Sequence, residues 1–97
     1  MNLEFLPEAL SEFAASVEFY EGKEPGLGKR FKNEVWEACS TIIAHPLLWR
    51  ERKGGFRRLN CPVFPHYIAY FIRGETVIIA AVAHERRHPD YWRKRIP

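Results

Sequence analysis

At 97 residues the chain is expected to form one domain, residues 1–97, with a real but modest core. Its apolar fraction of 46% argues against disorder, and its longest apolar run, about eight residues around Val77 to Ala83, is too short to span a bilayer. The net charge of +3 hides a polarity: residues 1–49 hold eight acids and four bases, residues 50–97 four acids and eleven bases. Such a basic C-terminal half suits an anionic partner, such as nucleic acid, nucleotide phosphate or an acidic protein.

In chain order, Asn2 to Phe5 reads as a short strand with Leu3 and Phe5 on one side. Met1 to Leu10 carries Glu4 and Glu8 and lacks a basic start, so no signal peptide is expected and the cytoplasm is the expected compartment. Pro7 suits the first position of a helix, followed by Glu8 in the first turn. Leu10, Phe13, Val17 and Tyr20 form an amphipathic stripe along that helix, and Gly22 ends or loosens it. Glu24-Pro25-Gly26-Leu27-Gly28 is a turn, and a second helix begins at or just after Pro25. The stripe of that helix is Leu27, Phe31, Val35, Cys39 and Ile42, and Pro46 stops it. Two amphipathic helices joined by a tight turn pack as an αα-hairpin.

His45 to Gly55 reads as a basic loop with Arg50, Arg52 and Lys53. Phe56 to Asn60 is the next strand, broken by Cys61-Pro62. Tyr67 to Ile72 and Val77 to Ala83 are rich in β-branched and aromatic residues, with Gly74-Glu75 between them as a two-residue turn of type II′. Counting outward from the turn pairs Arg73 with Thr76, Phe71 with Ile78 and Tyr67 with Val82. That register sets His84 on the same sheet face as Tyr67, Phe71, Ile78 and Val82. Neither strand alternates cleanly, so both are expected to be central. Asp90 to Arg95 closes the chain as a short turn or helix. The order β-α-α-β-β-β predicts an α+β fold, an antiparallel sheet with the αα-hairpin on one face. Cys39 and Cys61 make no metal spacing and read as a buried thiol and a loop thiol in a reducing compartment.

An ordered set of short motifs then stands out: Phe19-Tyr20-Glu21, Pro25-Gly26-Leu27-Gly28, His45-Pro46 with Trp49, and Arg57-Arg58-Leu59. It continues through Phe64-Pro65-His66-Tyr67 and Ala81-Val82-Ala83-His84, then Arg87, Pro89 and Tyr91-Trp92. Nearly the whole chain thereby resembles the RelE/ParE superfamily of type II toxin–antitoxin toxins, often labelled plasmid stabilisation proteins. The ending after His84, with no tyrosine beyond Trp92, looks more ParE-like than RelE-like.

The resemblance implies a toxin neutralised by a cognate antitoxin, needing no cofactor and no metal, and reaching operator DNA only through that antitoxin. It leaves two targets open. A ParE-like toxin poisons DNA gyrase and is no enzyme; a RelE-like one is a metal-independent endoribonuclease cutting mRNA on the ribosome; an inactive member would only bind its antitoxin. For a nuclease, His84, Arg87, Arg58 and Tyr91 are the candidate catalytic groups, as proton-transfer rings and phosphate-holding guanidiniums. Arg57, Arg58, Arg86, Arg87 and Arg93 are the candidate target- or nucleic-acid-binding residues. Trp36, Ile43 and Trp49, apolar residues outside the core stripes, are the candidate antitoxin-binding residues.

Overall fold

A computed structural model describes residues 1–97. The elements are β1 (Asn2–Phe5), α1 (Pro7–Lys23), α2 (Leu27–Ala44), β2 (Arg57–Asn60), β3 (His66–Arg73), β4 (Thr76–His84) and α3 (Asp90–Arg93). Helix α1 opens on Pro7 and buries Ala9 and Phe13. Its stripe is rotated from the expected one, because Leu10 is 52% exposed and the small Ala9 takes the inward position. Helix α2 buries Phe31, Val35, Cys39 and Ile42, the spacing read from the sequence.

The turn between the helices is held by a carboxylate. Glu21 accepts the Gly26 N–H at 3.2 and 3.0 Å and the Gly28 N–H at 3.1 Å. A side chain of α1 thereby satisfies donors that the first turn of α2 cannot satisfy itself. Gly26 adopts a φ of 89°, which only glycine takes without strain. Gly28 serves close approach: a Cβ there would lie 2.6 Å from the Val17 carbonyl oxygen.

The four strands run in the order β1-β4-β3-β2. Strands β2, β3 and β4 are antiparallel neighbours, as expected. The sheet is nevertheless mixed, because β1 pairs with β4 in parallel, Leu3 opposite Val77. Counting from a turn fixes only strands joined by a hairpin; β1 and β4 are joined by everything between them, and a long crossover permits the parallel pairing. Gly74 alone of the turn pair has positive φ, at 60°, which agrees with type II′.

The expected register holds only next to that turn. Tyr70 pairs with Ile79 but Ala69 pairs with Ala81, leaving Ala80 as an extra residue in β4. Past this bulge Tyr67 faces Ala83, not Val82. One inserted residue moves every later side chain of β4 to the opposite face. Val82 therefore joins Ile68, Tyr70 and Ile79 in the core beneath the helices. Tyr67, Ala69, Ala81 and Ala83 instead pack with Phe56 and Trp92 on the other face, where α3 closes the sheet. His84 follows Val82 to the helix side, opposite His66, and does not share a face with Tyr67, Phe71 or Ile78.

Replacing Gly28 by Ala tests the helix crossing. Alanine is the better helix former by about 1 kcal/mol, yet its methyl would meet the Val17 carbonyl. A net loss of about 1–3 kcal/mol is expected, read as a lower midpoint in urea or thermal unfolding.

Candidate functional site

Where β1 ends, one edge of β4 loses its strand partner after Ile79, whose carbonyl takes the Leu6 N–H. Two side chains continue that edge. Arg95 Nη1 donates to the Ala80 carbonyl at 3.0 Å, and Glu12 Oε1 accepts the Val82 N–H at 3.3 Å. Arg95 and Glu12 then join through a 2.7 Å ion pair, both mostly buried.

Beyond this clamp, β4 delivers His84 into a cleft against α1. His66 stands opposite on β3, the two ring centroids 5.1 Å apart. The Tyr20 hydroxyl of α1 lies 2.9 Å from His66 Nε2, whereas His66 Nδ1 is buried and has no partner. Burial first, then His84, lowers the His66 pKa from 6.5 to about 4, so this ring is neutral at physiological pH. Burial raises the pKa of Tyr20, which keeps its proton. Backbone N–H of Arg86 donates to His84 Nδ1 at 3.1 Å. Arg87 lays its guanidinium 3.8 Å above the Tyr91 ring at the end of the same cleft.

Of the four candidate catalytic residues, His84, Arg87 and Tyr91 thus line one cleft. Arg58 does not join them. Its guanidinium sits 3.7 Å over the Tyr67 ring, on the sheet face opposite His84, because Tyr67 belongs to the Trp92 cluster. Trp92 Nε1 donates to the Tyr67 hydroxyl at 2.8 Å and fixes that ring. Arg93 reaches over Phe56 in the same cluster, at 5.9 Å. Burial, and then the charges of Arg50 and Arg58, lowers the pKa of Arg52, so these cations crowd one region. Arg57 points to the helix side and donates to the Trp49 carbonyl at 2.6 Å, a structural bond. The side chain of Arg86 is exposed.

The three apolar candidates are placed differently from one another. Trp36 is 40% exposed and sets its ring edge to face against Phe5 and Phe13. Ile43 is half-buried, and Trp49 packs on the main core. Trp36 lines a shallow depression with Asn33, Ser40 and Thr41 to which neither of the others contributes. The cysteines are both free and both buried, with burial pushing Cys39 up to about 12 and Cys61 up to about 11. As protonated thiols they have little reactivity. No group of three or more His, Cys, Asp or Glu side chains is close enough to hold a metal ion, and no helix is long and apolar enough to cross a membrane.

Sequence reasoning missed His66, Tyr20, Glu12 and Arg95. None had a local signal: His66 meets His84 only through the bulge, and no spacing rule joins Glu12 to Arg95.

A helical hairpin on one face of a four-stranded sheet, a β-α-α-β-β-β order and a short C-terminal helix on the other face are the architecture of a RelE/ParE-superfamily toxin. The family model described as ParE toxin of type II toxin-antitoxin system, parDE, matches residues 3–89, and the chain belongs to that family. Among solved structures it is similar to one titled "Chromosomal ParDE TA system from P. aeruginosa", with a TM-score of 0.75 at 17% identity, covering 87% of this chain and 95% of that one. That likeness shows the fold. No match is found among curated proteins. Membership of a two-component system implies a cognate antitoxin as partner.

Two variants probe the clamp and the cleft. Glu12→Ala leaves the Arg95 charge and the Val82 N–H without partners, Arg95→Ala the Glu12 charge and the Ala80 carbonyl, and each should cost about 1–3 kcal/mol in urea unfolding. The double variant should cost less than the sum of the two, since each single change already breaks the pair. For His66 the folded pKa is lowered, so the unfolded chain binds the extra proton between about pH 6.5 and 4. Stability is then complete above that window and is lost as pH falls through it. The melting midpoint should drop from pH 7 to about pH 5, and His66→Phe should flatten that drop.

Proposed function

We propose that this chain arrests growth by poisoning DNA gyrase and that its cognate antitoxin neutralises it, in the cytoplasm. The observation that carries this reading beyond family membership is the position of Arg58 and Arg93, which lie away from the cleft of His84, Arg87 and Tyr91. Cutting RNA through its 2′-hydroxyl needs proton-transfer groups and phosphate-holding cations around one phosphate. Arg58 and Arg93 instead spread over aromatic rings on the face away from His84. Such a broad cationic surface suits binding to a large anionic target, here the DNA-bound gyrase complex. Arg86 and Arg87, exposed just past the end of β4, are further target contacts beside that surface. On the antitoxin side, Trp36 offers the most exposed of the three proposed anchors, with Ile43 and Trp49 as flanking contacts. Operator DNA is reached through the antitoxin.

Purified protein added to a gyrase supercoiling assay should block supercoiling or trap cleaved DNA, and should leave ribosome-bound mRNA intact in a translating extract. Charge reversal at Arg58 or Arg93 should abolish growth arrest, whereas His84→Ala should weaken it only in part. Ribosome-dependent cuts in the mRNA, lost in His84→Ala, would overturn the gyrase reading. No effect in either assay would leave an antitoxin-binding protein without a toxic activity.

A further inference from the structure

The cleft between α1 and the end of β4 has two connected chambers that share Ser16, His66 and His84. One, about 300 Å³, is walled by aromatic rings, including Tyr20 and Phe19. The other, about 200 Å³, carries polar groups at its end, where Arg87, Glu12 and Tyr91 stand. Phe19 is 58% exposed, with Lys23 5.1 Å above its ring, so an apolar ring stands open at the mouth beside a cation. Glu12 brings little net repulsion for an anion, since Arg95 neutralises it at 2.7 Å. The floor also holds the one buried side-chain polar atom without a partner, Nδ1 of His66, in a residue only 6% exposed. Buried polar atoms are nearly always paired, and the exceptions gather at sites where a ligand completes the bonding.

We propose that this cleft binds a nucleotide, with its base in the aromatic chamber and its phosphate on Arg87. Every base has a π face that stacks on phenyl or imidazole rings. Arg87 offers a guanidinium fork already laid flat on Tyr91, which suits a phosphate oxygen pair. The base preference follows from a tautomer. His84 Nδ1 accepts the Arg86 N–H, so the neutral ring carries its proton on Nε2 and presents a donor to the cleft. A keto oxygen, as in guanine or uracil, accepts it; the amino group of adenine does not. His66 Nδ1, without a partner on the cleft floor, is the second group the proposal gives to the base edge. The ligand is either a free nucleotide or one residue of a single strand. The proposal rests on the cleft and shares only Arg87 with the gyrase reading, so Phe19→Ser, which leaves every arginine in place, tests it separately.

The test is a titration of the full chain, followed by imidazole resonances in NMR. The probes are guanosine monophosphate, adenosine monophosphate, inorganic phosphate and a short single-stranded oligonucleotide. Guanosine monophosphate should shift the His66 and His84 signals saturably and bind more tightly than the adenine nucleotide. Phe19→Ser and Arg87→Ala, both changes at exposed positions, should each weaken binding about tenfold, or about 1.4 kcal/mol, with melting curves unchanged. His66→Phe should weaken it while filling the same space; should that variant fail to fold, the two exposed variants decide. Tighter binding of the oligonucleotide identifies a strand as the source, and tighter binding of the mononucleotide a free ligand. Absence of a saturable shift with either at millimolar concentration overturns the proposal. So does equal affinity for inorganic phosphate alone, or binding untouched by both exposed variants.

Discussion

The Glu12–Arg95 pair is the interaction on which the placement of His84, Tyr91 and Trp92 depends. Strand β1 covers β4 only as far as Ile79, so the rest of that part-buried edge would present unpaired backbone groups. An unpaired buried backbone group costs about 1–3 kcal/mol. Arg95 and Glu12 take the Ala80 carbonyl and the Val82 N–H in the way a neighbouring strand would, and their own charges cancel against each other. This is what lets Ala80 stand as a bulge residue without an orphaned group. The bulge in turn sends Val82 and His84 to the helix side and frees the other face for Trp92. Arg95 comes from the last turn of the chain, so the same pair also fastens the C-terminal segment that carries Tyr91 and Trp92.

Glu12 is one of three acids in the helical hairpin used in this manner. Glu21 holds the turn into α2 through the N–H groups of Gly26 and Gly28. Glu34 accepts the N–H groups of Val63 and Phe64 at 3.0 and 3.1 Å and pins the loop before β3 to α2. Each joins segments that no regular ladder joins. Part of the acidic balance of residues 1–49 is therefore used in bonds within the molecule, where it organises loops and an edge. Of the arginines in the second half, Arg95 is paired with a carboxylate and Arg57 is tied to the Trp49 carbonyl, while Arg58, Arg87 and Arg93 lie over aromatic rings.

What was legible in the sequence is what local periodicity and turn chemistry determine. The α2 stripe, the Gly74-Glu75 hairpin and the helix stop at Pro46 follow from residues within a few positions of one another. Leu10 misled because Leu10 and Ala9 offer nearly equal helical stripes, and only packing against the sheet decides between them. The bulge misled for a different reason. Ile78, Ile79, Ala80 and Ala81 are all apolar, so no alternation marks which one is extra, and both registers read alike. With the bulge hidden, the face of His84 and the partnership with His66 were hidden too. The parallel pairing of β1 and the Glu12–Arg95 pair span most of the chain, and no local signal reports them.

The bulge finally explains why one basic, aromatic stretch gives two chemically distinct surfaces. Without it, His84 and Tyr67 would share a face, and Arg58 stacked on Tyr67 would stand beside an imidazole. With it, the imidazoles turn toward α1 and the arginines remain over Tyr67 and Phe56. A guanidinium held flat on a ring has lost part of its rotamer freedom before any partner arrives, and its N–H groups point outward around the ring edge. Binding an anionic surface with such groups costs less ordering than binding with free side chains. The imidazole side is organised by the opposite means: burial keeps His66 neutral, and Tyr20 takes one of its nitrogens. Arg58 and Arg93 thus stand over rings on the face open to a large partner, and the paired imidazoles in the narrow cleft, with Arg87 at its end.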